Sequence, residues 1–349
     1  MSGLKRKKYG SIIFGAGLFI MLIIFAEEFR KGFTSGLRNC SDIVIPSLFP
    51  FLVAASLAGC GELPPKLSRI LSPVTELLFG LPAESTFAII LGQLGGYLSG
   101  AKSAQSLCSS GSITAHHAEK LLLFCINPGI GFAVNALGSI MLSSRNSGRI
   151  IFASVCISSV ICGIAARFIN SESEAKEKTV KSVPPFSEAV VNSVSSGTFS
   201  VFIACAFVCF FSGLSSVIEA YVSNENIKLA AICLLEITNG CIYASKEVSL
   251  PFISALCAFG GVCVHMQIFA VADNFRIRIP VFYAFRFLHA VLSFRVCSLI
   301  LWLFPCDVQV MINITPEAAL WSFSAPASIS LLFLSALLIL DLDNMYKIC

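Results

Sequence analysis

The sequence predicts an all-α polytopic membrane protein, with inverted structural repeats, two re-entrant helical hairpins and broken helices, like an elevator carrier. Three observations lead there. Of the 349 residues, 56% are apolar and only 13% are charged, and the mean hydropathy is +0.84. A soluble chain of this length needs a more polar surface. Uncharged runs long enough to cross hydrocarbon recur along the chain. The third observation is a pair of matching interruptions. One is Gly92-Gln93-Leu94-Gly95-Gly96-Tyr97 followed by Asn127-Pro128-Gly129; the other is Glu236-Ile237-Thr238-Asn239-Gly240 followed by Gly260 to Gln267. Lipid does not tolerate irregular backbone unless protein or a watery cavity covers it, so paired breaks suggest a central solute site.

The spanning runs lie near 9–26, 43–61, 121–144, 150–166, 189–218, 248–272 and 318–340. A crossing takes roughly 20 residues of helix. The shorter run 85–101 suits a re-entrant hairpin, and 279–306 is apolar but carries Arg286 and Arg295. Lys5-Arg6-Lys7-Lys8 reads as an inside anchor ahead of an uncleaved first helix, because no small-residue cleavage site follows Ala26. The polar stretch 170–188, ending near Pro184-Pro185, divides the chain near its middle. The expected organisation is an anchor helix (1–34), a first repeat (35–169), the linker (170–188), a second inverted repeat (189–306) and a C-terminal helix and tail (307–349). With the N-terminus inside, helix one goes out and 43–61 returns. Most basic clusters then fall inside, apart from Arg30, Lys31, Arg145 and Arg149, and the two hairpins enter from opposite faces.

The net charge of +4 is scattered through loops and gives no nucleic-acid surface. Nearly all of the fifteen cysteines lie in apolar segments without a Cys-x-x-Cys pair, so they read as small hydrophobes. His116-His117 lack companion ligands at metal spacing and read as a helix start. No nucleophile–base arrangement, phosphate loop or hydride-cofactor fingerprint appears, so neither an enzyme nor a resident cofactor is expected.

The candidate solute-binding residues are Gln93, Gly95, Gly96, Tyr97, Lys102, Asn127, Glu236, Thr238, Asn239, Gly240 and Gln267. A carboxylate at membrane depth is costly unless paired, protonated or wetted. Glu236 therefore either meets solute or a coupling proton or cation, or is a structural acid bonded to a broken-helix N–H. Thr238 and Asn239 are ligands or local caps, and Gly240 is expected to supply a permissive dihedral. Gly95 and Gly96 admit solute or a neighbouring helix. Lys102 draws in an anion or snorkels to the interface. Asn127-Pro128 interrupts a helical ladder and frees backbone groups that suit a polar solute. Asn135, His265 and Gln267 follow one or two turns beyond the breaks, His265 reading more as packing than chemistry.

At these positions the chain resembles the bacterial sporulation integral membrane proteins of the YlbJ type, also called SpoVV, which carry the nucleoside-recognition or Gate domain. The resemblance rests on Pro46-Ser47-Leu48-Phe49-Pro50-Phe51, Gly95 to Lys102, Glu119 to Gly129, Leu235 to Gly240 and Phe259 to Gln267, in order between about 35 and 305. Leu98 stands where the first element usually has proline, and the Asn-Pro pair at 127–128 is tighter than usual. The resemblance implies a protein of the outer forespore membrane of a spore-former, associated with moving dipicolinic acid, a planar aromatic dicarboxylate. It further implies that Asn127, Asn239 and Gln267 with helix N-termini hold the two carboxylates, Tyr97 stacks on the ring and Lys102 attracts the anion. Partners would be this anionic solute, the bilayer, and either further copies of the chain or other sporulation membrane proteins. A nucleoside or other polar-solute carrier and a non-transporting spore-envelope scaffold are the alternatives.

Overall fold

A computed structural model describes residues 2–59, 65–169, 185–245 and 247–304; the helix expected at 318–340 and most of the linker lie outside them. Every regular element among the described residues is helical. Five helical stretches are long and apolar enough to cross a membrane: Ala26–Ala58, Arg145–Ala166, Phe186–Tyr221, Leu250–Val271 and Ile279–Leu303. The chain is an integral, multi-pass membrane protein.

Helix α1 (Ser2–Ile24) leads through Phe25 into α2 (Ala26–Asn39), a π-helical turn (Cys40–Val44) and α3 (Ile45–Ala58). This corrects one expectation. The stretch 27–42, expected to connect two separate spans, is helical throughout, and the chain does not turn back between residues 26 and 58. Backbone bonds from Phe25 N to Met21 O and from Phe29 N to Phe25 O carry the ladder across Phe25. No proline interrupts the polar segment, and the Lys31–Glu27 pair at 2.8 Å joins successive turns. Gly32 and Gly36 also give this helix a small-residue stripe. A Cβ on Gly32 would lie 2.3 Å from Ser212 O, and one on Gly36 would lie 2.8 Å from Cys209 Cα. That closeness lays α2 along α9 (Phe186–Tyr221).

The first half continues with α4 (Pro65–Phe79), α5 (Ser85–Leu94), α6 (Tyr97–Ser109) and α7 (Ala115–Phe124). After a break at 125–130 comes a π-helical stretch (Gly131–Met141), then α8 (Arg145–Ala166). In the second half α9 is followed by α10 (Glu225–Leu235), α11 (Ile237–Ala244), α12 (Leu250–Phe259), α13 (Gly261–Val271) and α14 (Ile279–Leu303).

Two helix pairs fold back on themselves. In α5–α6 a Cβ on Gly100 would lie 1.8 Å from the Cys125 carbonyl oxygen and 3.1 Å from Gly92 Cα, so two bare glycines let the arms close over the break after α7. In α10–α11 Gly240 packs on Cys233, whose thiol donates to Gly240 O at 3.6 Å. A Cβ on Gly240 would come within 2.8 Å of Cys233 Cα. Gly240 sits in ordinary helical backbone, with no positive φ, so its role is close packing rather than a permissive dihedral. The positive φ belongs to Gly96 (106°), Gly260 (93°) and Gly261 (78°), where α6 and α13 begin.

Candidate functional site

Three of the breaks, and α13 just beyond the fourth, border one cavity. Around this cavity of about 80 Å³ stand Gly95, Gly96 and Tyr97 from the α5–α6 turn, Gly129 and Phe132 beyond Asn127-Pro128, Glu236 and Thr238 from the α10–α11 turn, and Gln267 from α13. Both π-helical stretches contribute, through Ile43 and Val44 on one side and Phe132 on the other. Insertions of this kind re-aim side chains at functional sites. The remaining wall is apolar, including Leu48, Val208 and Val264. Six predicted site residues from opposite halves of the chain thus share one cavity: Gly95, Gly96, Tyr97, Glu236, Thr238 and Gln267.

Glu236 is 1% exposed. Its carboxylate accepts from the backbone N–H groups of Thr238 (2.9 Å) and Asn239 (2.7 Å), so it caps α11 and sets its charge against that helix's positive end. Of the two readings open in the sequence, the structure supplies the second, an acid bonded to a broken-helix N–H. The carboxylate also borders the cavity. The N-termini of α6, the second π-helical stretch and α13 have no side-chain cap. Tyr97 donates its hydroxyl to Cys257 O at 2.7 Å, joining the first-half turn to α12.

The other five candidates lie off the cavity wall. Gln93 and Asn127 form a buried network behind it. Asn127 Nδ2 donates to Gln93 Oε1 (2.9 Å), while Gln93 Nε2 donates to Ser159 Oγ (2.7 Å) and Ser159 to Phe124 O (2.6 Å). The Ser159 bond satisfies the Phe124 carbonyl, which would otherwise face the missing N–H of Pro128. Lys102, one and a half turns along α6, donates to Gln105 Oε1 at 3.1 Å. The Asn239 amide donates to Ser212 Oγ at 3.0 Å, which ties α11 to α9. Gly240 faces Cys233.

His265 packs as expected. It is fully buried, its Nε2 lies 2.8 Å from Phe259 O, and Phe259, Phe282 and Tyr283 meet its ring edge to face. His117 N bonds the Thr114 cap at 3.2 Å, so His116-His117 do open a helix. Asn135 accepts from Arg145 on the exposed side.

Arg286 is the residue whose importance the sequence reading missed. It is the largest fully buried side chain among the described residues. Its guanidinium donates to Leu123 O (2.6 Å) and Ile126 O (2.8 Å) at the end of α7 and reaches Ala258 O (3.5 Å) at the end of α12. The signal was present, because an arginine inside an apolar span needs an internal partner. Its partners are carbonyls, which no sequence pattern names.

The described residues hold no group of three or more His, Cys, Asp or Glu that could bind a metal ion. Neither a known family's sequence profile nor a solved structure matches the chain. The chain is similar to a sporulation membrane protein. The sporulation integral membrane protein YlbJ of Bacillus subtilis (strain 168) is 20% identical over 311 residues, taking in 77% of this chain and 76% of that protein. The likeness to YlbJ is weak and partial in length. It bears on membrane character and a sporulation theme, and it names no solute.

Proposed function

We propose that this protein is a membrane carrier for a small aromatic dicarboxylate, dipicolinate, working in the outer forespore membrane. The observation that carries the reading is one cavity bordered by three helix breaks and by α13 beyond the fourth, with the uncapped starts of α6 and the second π-helical stretch beside it. At α11 a carboxylate already satisfies such an end. Solute carboxylates would do the same at α6, the second π-helical stretch or α13. The YlbJ likeness supplies the sporulation context.

On this reading the two halves are inverted repeats. Helix α3 lies on α5 and α6, α9 on α10, α7 on α8 and α12 on α14, while α3–α9 and α8–α14 join the halves. The cavity of about 80 Å³ has room for two or three waters at about 30 Å³ each, whereas ligand pockets run to hundreds of Å³. The structure is therefore read as a closed state, and loading requires a hairpin to swing aside. Glu236 opposes a dianion, and a coupling proton or cation on it would remove the conflict.

One observation favours a second reading. No lysine or arginine lines the cavity, which suits an uncharged polar solute such as a nucleoside, with Glu236 accepting from hydroxyls. The deciding experiment is uptake of labelled dipicolinate into proteoliposomes with unlabelled nucleoside as competitor. The first reading predicts flux that nucleoside leaves unchanged. Nucleoside uptake without dipicolinate uptake would replace it with the second, and neither flux under any imposed ion gradient would favour a scaffold.

A further inference from the structure

We propose that Arg286 is a positioning residue that holds the two interrupted spans to each other and so fixes the width of the cavity between them. The proposal rests on the carrier reading only for its consequence in transport; the clasp itself is a statement about geometry.

Among the described residues, no carboxylate lies within ion-pair range of this cation. What faces it instead are backbone carbonyls from the last turns of two helices, where the ladder ends and the oxygens carry the negative end of the helix dipole. Nη2 takes Leu123 O and Nη1 takes Ile126 O, immediately before Asn127-Pro128-Gly129. Nη1 also reaches Ala258 O, immediately before Phe259-Gly260-Gly261. The Phe282 ring supports the guanidinium carbon from 5.7 Å.

The remaining contacts on α12 point the same way. His265 bonds the next carbonyl, Phe259 O, and Tyr97 bonds the preceding one, Cys257 O. Three consecutive carbonyls at the end of α12 are thus held by side chains from α13, α14 and α6. Downstream of the two clasped ends, Gly129 borders the cavity, and Gly260 packs against the Tyr97 ring that borders it. Arg286 is absent from the cavity wall, so it touches no solute there and acts through the backbone it holds. A planar fork of donors spans two helix ends; a lysine ammonium is a single point and does not.

The test is amide hydrogen exchange on the purified full chain without ligand, followed by flux. With Arg286→Gln, amides at 127–133 and 259–264 should exchange about tenfold faster or more, together, while 235–240 at the α10–α11 turn keep their rate. Faster exchange at only one break, at neither, or equally everywhere would overturn the clasp. Should the glutamine protein not fold, Arg286→Lys decides, with exchange expected to rise at one break or both, and unchanged rates at both overturning the idea. In flux, Arg286→Lys should raise apparent KM about tenfold with Vmax per folded molecule nearly kept, whereas a residue that only stabilises the fold would lower the amount of protein and leave KM alone. If the wild-type protein carries no dipicolinate, the carrier reading falls while the exchange result still decides the clasp.

Discussion

Glu236 sets its carboxyl oxygens against two backbone N–H groups at a helix start, and this arrangement satisfies the buried acid without a cationic partner. Replacing it with alanine strips both bonds and leaves two buried donors. The expected loss is about 2 kcal/mol or more, since bonds to charged groups contribute about 1.5–3 kcal/mol each. Glu236→Gln keeps one acceptor and should lose about half as much. Thermal midpoints of the two proteins in detergent check the order, and equal midpoints would remove the capping role. Asn127 poses the contrasting case, because its amide closes a network with Gln93 and Ser159 behind the cavity. Asn127→Ala should lower stability by about 1–3 kcal/mol and leave apparent KM for solute unchanged. A raised KM at matched stability would return Asn127 to the solute site. The sequence marked both residues as unusual, because an acid and an Asn-Pro pair stand out in apolar flanks. It did not say which would reach the cavity, since that depends on Ser159, 32 residues away in the chain.

The hairpins depend on glycines with no room for a side chain. Gly100 is the tightest, 1.8 Å from the Cys125 carbonyl oxygen in the Cβ test, whereas Gly15 has nothing within 4 Å. Gly100→Ala should cost about 3 kcal/mol or more through overpacking against backbone, and Gly15→Ala should stay within about 0.5 kcal/mol. Chromatographic yield and thermal midpoint of the two proteins measure the difference; a well-behaved Gly100→Ala protein would mean the arms of α5–α6 lie further apart than described. The two breaks and the turns between paired arms were legible because glycine, proline and amides punctuate the apolar runs there. The continuous helix through 27–42 was not. Glu27, Glu28, Arg30 and Lys31 look like a loop by composition, yet Glu27, Arg30 and Lys31 sit exposed, and Glu28 half-buried, on a helix whose Gly32–Gly36 stripe packs on α9. Small-residue spacing, rather than charge, carried the information.

At the scale of the molecule, the all-α membrane class follows from composition, while the cavity is a product of assembly. Tyr97 and Glu236 lie 139 positions apart, and packing such as that of α6 on α13 and of α11 on the second π-helical stretch brings them to one wall. Arg286 holds the ends of α7 and α12 just before two of the breaks, so those two are clasped on their upstream sides and open into uncapped helix starts on their downstream sides. The proposed carrier would meet its solute through the few groups around the cavity. The most direct measurement is dipicolinate uptake into proteoliposomes with Thr238→Val and Gln267→Leu, against Lys102→Gln as a polar residue off the wall, all at matched insertion. The cavity account predicts flux from the wild-type and Lys102→Gln proteins and at least about a tenfold fall in Vmax/KM for the two wall variants. Wild-type flux that both wall variants retain, or that only Lys102→Gln loses, would contradict it.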